Sequence, residues 1–127
     1  MIKSVRVVNF KSLADVTLSL GHFNCLVGMN GAGKSTVLQA LDFLSQLARG
    51  DIEGWLEQRG WSAADLRCKL RKESNITFTV YFQVTTGETI TWNASFNRTD
   101  LRCSRETVYL GAGEGSGFLL RSSEQAF

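Results

Sequence analysis

The stretch GMNGAGKST, residues 28–36, constrains this chain more than any other. It puts three glycines, a lysine and two hydroxyls between an apolar run, HFNCLV, and a helical pattern, VLQALDFLSQLA. It fits G-x-x-x-x-G-K-[ST], with Gly28, Gly33, Lys34 and Ser35 at the fixed places. A loop can hold the charges of a triphosphate only if its backbone N–H groups turn inward, and glycine permits both the unusual φ values and the close approach. A helix starting near Lys34 adds unsatisfied N–H groups and the positive end of its dipole. In such a loop Lys34 reaches the β- and γ-phosphates and Ser35 ligates Mg²⁺.

The flanking patterns predict an α/β domain. Residues 2–10 and 12–20 read as two strands, the second alternating strictly from Asp15 to Leu20, with polar turn-formers at Asn9-Phe10-Lys11-Ser12. A third strand is expected at 22–27, continuous in its apolarity and therefore covered on both faces. Val37, Leu38, Leu41, Leu44, Leu47 and Ala48 recur at helical spacing, and Gly50 stands where a C-terminal cap belongs. A second helical stretch follows at 51–59, and Ser62-x-x-Asp65 resembles a capping box that starts a short helix to about residue 70. The period then changes to two. Ile76, Phe78, Val80 and Phe82, then Ile90, Trp92 and Phe96, predict a β-hairpin turning at Thr86-Gly87-Glu88 with these side chains on one buried face. Further strands are expected at 101–110 and 117–121.

A second glycine run, GAGEGSG at 111–117, is flanked by strand patterns and has no helix after it to receive a phosphate, so it reads as a hairpin loop. Cys25, Cys68 and Cys103 are odd in number and far apart, and His22 has no ligand-spaced neighbour, which speaks against a disulfide or zinc framework. Cys25, inside an apolar run, reads as a small buried hydrophobe. The net charge of +2 implies no nucleic-acid partner by itself; the one local concentration is Arg67, Lys69, Arg71 and Lys72, a solvated helix end or a phosphate-facing patch. No segment has the roughly 18 consecutive apolar residues of a spanning helix, and the N-terminus lacks a signal-peptide core, so the expectation is a cytoplasmic protein without a membrane partner.

The lead-in VVNFKSLADVTLSLGHFNCLVGMNGAGKSTVLQALDFL resembles the N-terminus of the SMC/RecF-like branch of ABC-class ATPases. The group it resembles most is that of AAA-labelled ATPases related to RecF and to the overcoming-lysogenisation-defect nucleases. The resemblance covers residues 1–48 strongly and 49–127 more loosely. It implies a P-loop NTPase fold: the first lobe of an ABC-type ATPase head, with a mixed sheet around the P-loop helix and an antiparallel meander. Residues 1–127 then form a single domain, with strands, loop and helix in 1–50 and short helices and antiparallel strands in 51–127. The resemblance assigns ATP binding to Asn30, Gly31, Ala32, Gly33, Lys34, Ser35 and Thr36, with Ser35 on Mg²⁺ and Thr36 at the α-phosphate. Lys11 and Ser12 match its N-F-[KR]-S element, which lies near the nucleotide in relatives.

The family also uses a Q-loop glutamine, a signature motif, a Walker B aspartate with a catalytic glutamate, and a switch histidine. None is found in these residues, so no catalytic residue is assigned. The expectation is a piece of a longer ATPase or a truncated product, hydrolysis-incompetent alone. Its implied partners are the C-terminal half of the head, a second head in a homodimer, and DNA or a nuclease effector in DNA repair or antiviral defence. Other readings of the same loop are a non-hydrolytic nucleotide-binding module and a transporter nucleotide-binding domain.

Overall fold

A computed structural model describes residues 1–29, 33–110 and 118–123, the last six as backbone. Its elements are β1 (Ile2–Phe10), β2 (Leu13–Ser19), α1 (Lys34–Arg49), α2 (Ile52–Arg59), a single 3-10 turn (Ala63–Leu66), β3 (Asn75–Gln83), β4 (Thr89–Asn97), β5 (Arg102–Leu110) and β6 (Phe118–Ser123). The six strands form one sheet in the order β2-β1-β3-β4-β5-β6. Every neighbouring pair is antiparallel.

The alternation seen in the sequence becomes two unlike faces. Register pairs Val5 with Val80, Val7 with Phe78, Phe78 with Ala94 and Ile76 with Phe96, and all of these are buried. On the other face Arg6, Thr79, Asn93 and Thr107 lie in line across four strands. Arg6 there holds Asp15 through two hydrogen bonds of 2.9 and 2.7 Å. An antiparallel sheet with one covered face gives this division. The cover is α1, which buries Ala40, Phe43, Leu44 and Leu47, extended by Ile52, Trp55 and Leu56 of α2. Phe43 is fully buried, and its ring centroid lies 5.5 Å from Phe10, 5.7 Å from Phe78, 5.1 Å from Phe96 and 5.5 Å from Trp55.

The helix ends follow their sequence signals. Gly50 closes α1 at φ 94° with its N–H on the Gln46 carbonyl. The Asp51 side chain accepts from the Gly54 N–H at the start of α2. Ser62 and Asp65 form the expected capping box, but it opens only one 3-10 turn, after which the chain is irregular to Asn75.

Further expectations are overturned. The sheet is antiparallel rather than mixed, and no strand forms at 22–27. No strand pairs with that run among the described residues, and Phe23 and Val27 are each 87% exposed. A continuous apolar strand is stable only between neighbours on both edges and layers on both faces, and this sheet already spends both edges of β1 on β2 and β3. Cys25 in the same run is exposed rather than buried. No helix among the described residues is long and apolar enough to cross a membrane.

Phe43→Ala removes the ring on which both layers close and should lower unfolding free energy by about 3–5 kcal/mol. Urea denaturation measures this, and a loss below about 1 kcal/mol would contradict the packing described.

Candidate nucleotide-phosphate site

The loop that enters α1 is built from the helix outward. Gly33 caps α1 at φ 92°, ψ 8°, a left-handed conformation that only glycine adopts without strain. Its carbonyl accepts the Val37 N–H at 3.0 Å, which leaves the N–H groups of Lys34, Ser35 and Thr36 without an intrahelical acceptor. No acidic residue stands in this first turn to repel an anion. The Lys34 ammonium reaches back to the Gly28 carbonyl, so the first glycine of the motif and its lysine are in contact across the loop. Ser35 is exposed on the helix surface. Asn30, Gly31 and Ala32 lie outside the described residues, as do Gly111 to Gly117.

The β1–β2 turn sits beside this loop. Phe10 pairs with Leu13, so Lys11 and Ser12 are the whole turn, and Lys11 takes φ 50°. Ser12 Oγ lies 4.0 Å from where a Cβ on Gly33 would stand. Lys11 points elsewhere: its Nζ donates to Gln39 Oε1 at 2.9 Å and lies 3.4 Å from the centroid of the Trp61 ring. Burial lowers the Lys11 pKa, and Asp65 opposes that shift. Ser12 is therefore next to the loop, while Lys11 rests on the second turn of α1.

Asn9 fixes the turn from below. It is fully buried with φ 68°, and its Nδ2 donates to the Glu73 carbonyl at 2.5 Å and the Asn75 carbonyl at 2.8 Å. The Lys11 N–H donates to the Leu66 carbonyl at 3.0 Å. The Asn-Phe-Lys-Ser element is thus a structural knot: asparagine tolerates the left-handed backbone, and phenylalanine anchors the turn in the core. Trp61 and Gln39 could not be read as partners of Lys11 beforehand, since an aromatic 50 positions away carries no spacing signal.

No cluster of His, Cys, Asp and Glu that could hold a metal occurs among the described residues. Cys68 and Cys103 are buried, and burial pushes the Cys103 thiol up to about 12.

A glycine-capped helix that follows a G-x-x-x-x-G-K-S sequence and lies on one face of an antiparallel sheet makes this an α/β domain. The AAA ATPase domain family profile matches residues 1–107, and the chain belongs to that family. It is 46% identical over 52 residues to an OLD nuclease of Thermus scotoductus, a stretch covering 41% of this chain and 9% of that protein. It is 48% identical over 46 residues to the DNA replication and repair protein RecF of Porphyromonas gingivalis, covering 35% of this chain and 13% of that protein. The resemblance to RecF and OLD ATPases drawn from the lead-in is borne out. The matched stretches are a small part of those relatives' length.

Under native conditions a thiol reagent should modify Cys25 rapidly and leave Cys68 and Cys103 intact until the protein unfolds, because burial denies the reagent access to both and keeps the Cys103 thiol from the reactive thiolate form. Intact-mass analysis counts the adducts; early labelling of Cys103 would contradict its burial.

Proposed function

We propose that residues 1–127 are the ATP-binding first lobe of a RecF/OLD-like ATPase head. The observation that carries this reading is the start of α1: Lys34 on the Gly28 carbonyl, Gly33 as the cap, and first-turn N–H groups that have no intrahelical acceptor. Asn30 to Thr36 wrap the phosphates, and Lys34 exchanges its carbonyl partner for phosphate oxygens. The exposed hydroxyl of Ser35 and the absence of first-turn acids suit a Mg²⁺ that arrives with the nucleotide. Ser35 would hold that ion, which would supply charge neutralisation at the phosphates. Ser12 stands at the rim of the same site, while the Lys11 side chain turns away to Gln39 and Trp61.

The remainder of the reading concerns completion of the head. Phe23, Val27 and Met29 are 87%, 87% and 85% exposed, and burying such side chains is worth roughly 1.5–3 kcal/mol each. Their exposure supports a C-terminal half that pairs with residues 22–27 and brings the Walker B and signature elements. Two heads then close on nucleotide in the cytoplasm and couple hydrolysis to a DNA transaction or a nuclease. Residues 1–127 by themselves bind ATP weakly and do not turn it over, because they lack the group that positions water.

Lys34 and Ser35 act differently and should separate in a nucleotide titration. Lys34→Ala should weaken ATP binding with Mg²⁺ or with a chelator, since the ammonium meets phosphate directly. Ser35→Ala should remove mainly the Mg²⁺-dependent part. Neither residue belongs to the buried face of α1, so both variants stay folded. If Lys34→Ala binds as well as the parent in both buffers, the glycines are only a turn and the reading fails.

A second outcome follows from completion. Cys25 should lose its reactivity in the full head, because the strand that pairs with 22–27 covers it. Equal labelling rates with and without the remaining head would rule that pairing out.

A further inference from the structure

The basic run that the sequence left undecided acquires a second half in the fold. Past the 3-10 turn the chain carries Arg67 and Lys72 to the base of β3, and the β4–β5 turn brings Arg98 and Thr99 to the same place. With Ala63 and Ala64 these residues line an open depression of about 310 Å³. No carboxylate lines it. Arg71, the run's other arginine, is already committed to Glu73 at 2.8 Å, and Arg67 and Lys72 have no ion-pair partner among the described residues.

Arg98 is held in place rather than free. Its Nε donates to the Ser74 carbonyl at 2.7 Å and its Nη2 to the Glu73 carbonyl at 3.4 Å. The guanidinium is half-buried, and its pKa is lowered by burial first and by the charge of Arg67 second. Three cations around one depression that no carboxylate lines repel one another, and an anion there would relieve that repulsion. A guanidinium held by two backbone carbonyls, flanked by two exposed cations and a threonine hydroxyl, is the donor set of a phosphate clamp.

We infer that the Arg67–Lys72–Arg98 depression binds the phosphodiester backbone of DNA. A single phosphate would satisfy Arg98 alone; two exposed cations beside it match consecutive phosphates along a strand. Hydrogen bonds tie the flanks of the depression to the β1–β2 turn. Leu66, next to Arg67, accepts from the Lys11 N–H, and Asn9 ties Glu73, next to Lys72, to the same turn. This inference rests on the reading that the protein acts on DNA, and it gives that reading a surface.

The test is fluorescence anisotropy of a short labelled DNA duplex across a salt series. Arg67→Gln with Lys72→Gln removes two exposed cations without touching the backbone bonds of Arg98. Affinity should fall roughly tenfold or more, and the slope of log K against log salt should shrink by about 2. A control, Lys3→Gln with Arg49→Gln, removes the same charge elsewhere and should change affinity far less. ATP affinity should be unchanged in both. If the control weakens DNA binding as much, only net charge matters and the site is wrong. If the double variant loses ATP affinity and keeps DNA affinity, the depression serves the nucleotide and the inference is overturned. DNA binding that is intact in the double variant defeats this site but leaves the DNA reading standing. Absence of DNA binding in the parent defeats both.

Discussion

The packing of Phe43 between two layers is the constraint on which the rest of this domain depends. Its ring meets Phe10 at the end of β1, Phe78 and Phe96 in the hairpin, and Trp55 on α2. Each of these contacts fixes α1 against a different element, so the helix has little freedom to translate or roll. Lys34 and the exposed Ser35 at its start are polar, but they project from a helix whose opposite face is immobilised. A phosphate cradle needs that rigidity, because its backbone donors must be placed before the ligand arrives.

The same aromatic packing extends to the surface. Trp55 meets Trp61 edge-on at 5.5 Å, and the Trp61 ring supports the Lys11 ammonium. Arg59 lies 4.3 Å from the Trp55 ring and pairs with Asp42 of α1. A chain of ring contacts therefore connects the core to the turn beside the loop. Lys11, partly desolvated between Gln39 and Trp61, is kept near the phosphate end of α1 without occupying it.

What could be read from the sequence follows from how local each signal is. The 3.6-residue period of α1, the alternation of β3 and β4, Gly50 as a cap and the Ser62–Asp65 box all depend on neighbours within a few positions, and all appear in the structure. Leu13 to Ser19 reads as a strand for the same reason. The run at 22–27 misleads because apolarity reports that a segment will be buried, not what will bury it. The depression at Arg67 was half visible: the run itself is contiguous, but Arg98 reaches it through the hairpin register that places Asn97 opposite Asn75. The lysine of the Asn-Phe-Lys-Ser element is legible as part of a turn, whereas its resting place on Trp61 depends on the path of α2.

The exposed run and the loop are not independent parts. Gly28, whose carbonyl holds the Lys34 ammonium, directly follows Val27, the last residue of that run. Drawing 22–27 into a strand would fix the direction of the Gly28 carbonyl, since a strand dictates where successive peptide groups point. In the proposed head, completion of the sheet and placement of the lysine would then be one mechanical event. Phosphate would draw Lys34 off that carbonyl and so act on the same residue from the other side. A domain built this way would tie its affinity for nucleotide to whatever covers Phe23 and Val27. Burial of roughly 1.5–3 kcal/mol per side chain is large enough, against the marginal stability of a domain this size, to decide which state of the loop is populated.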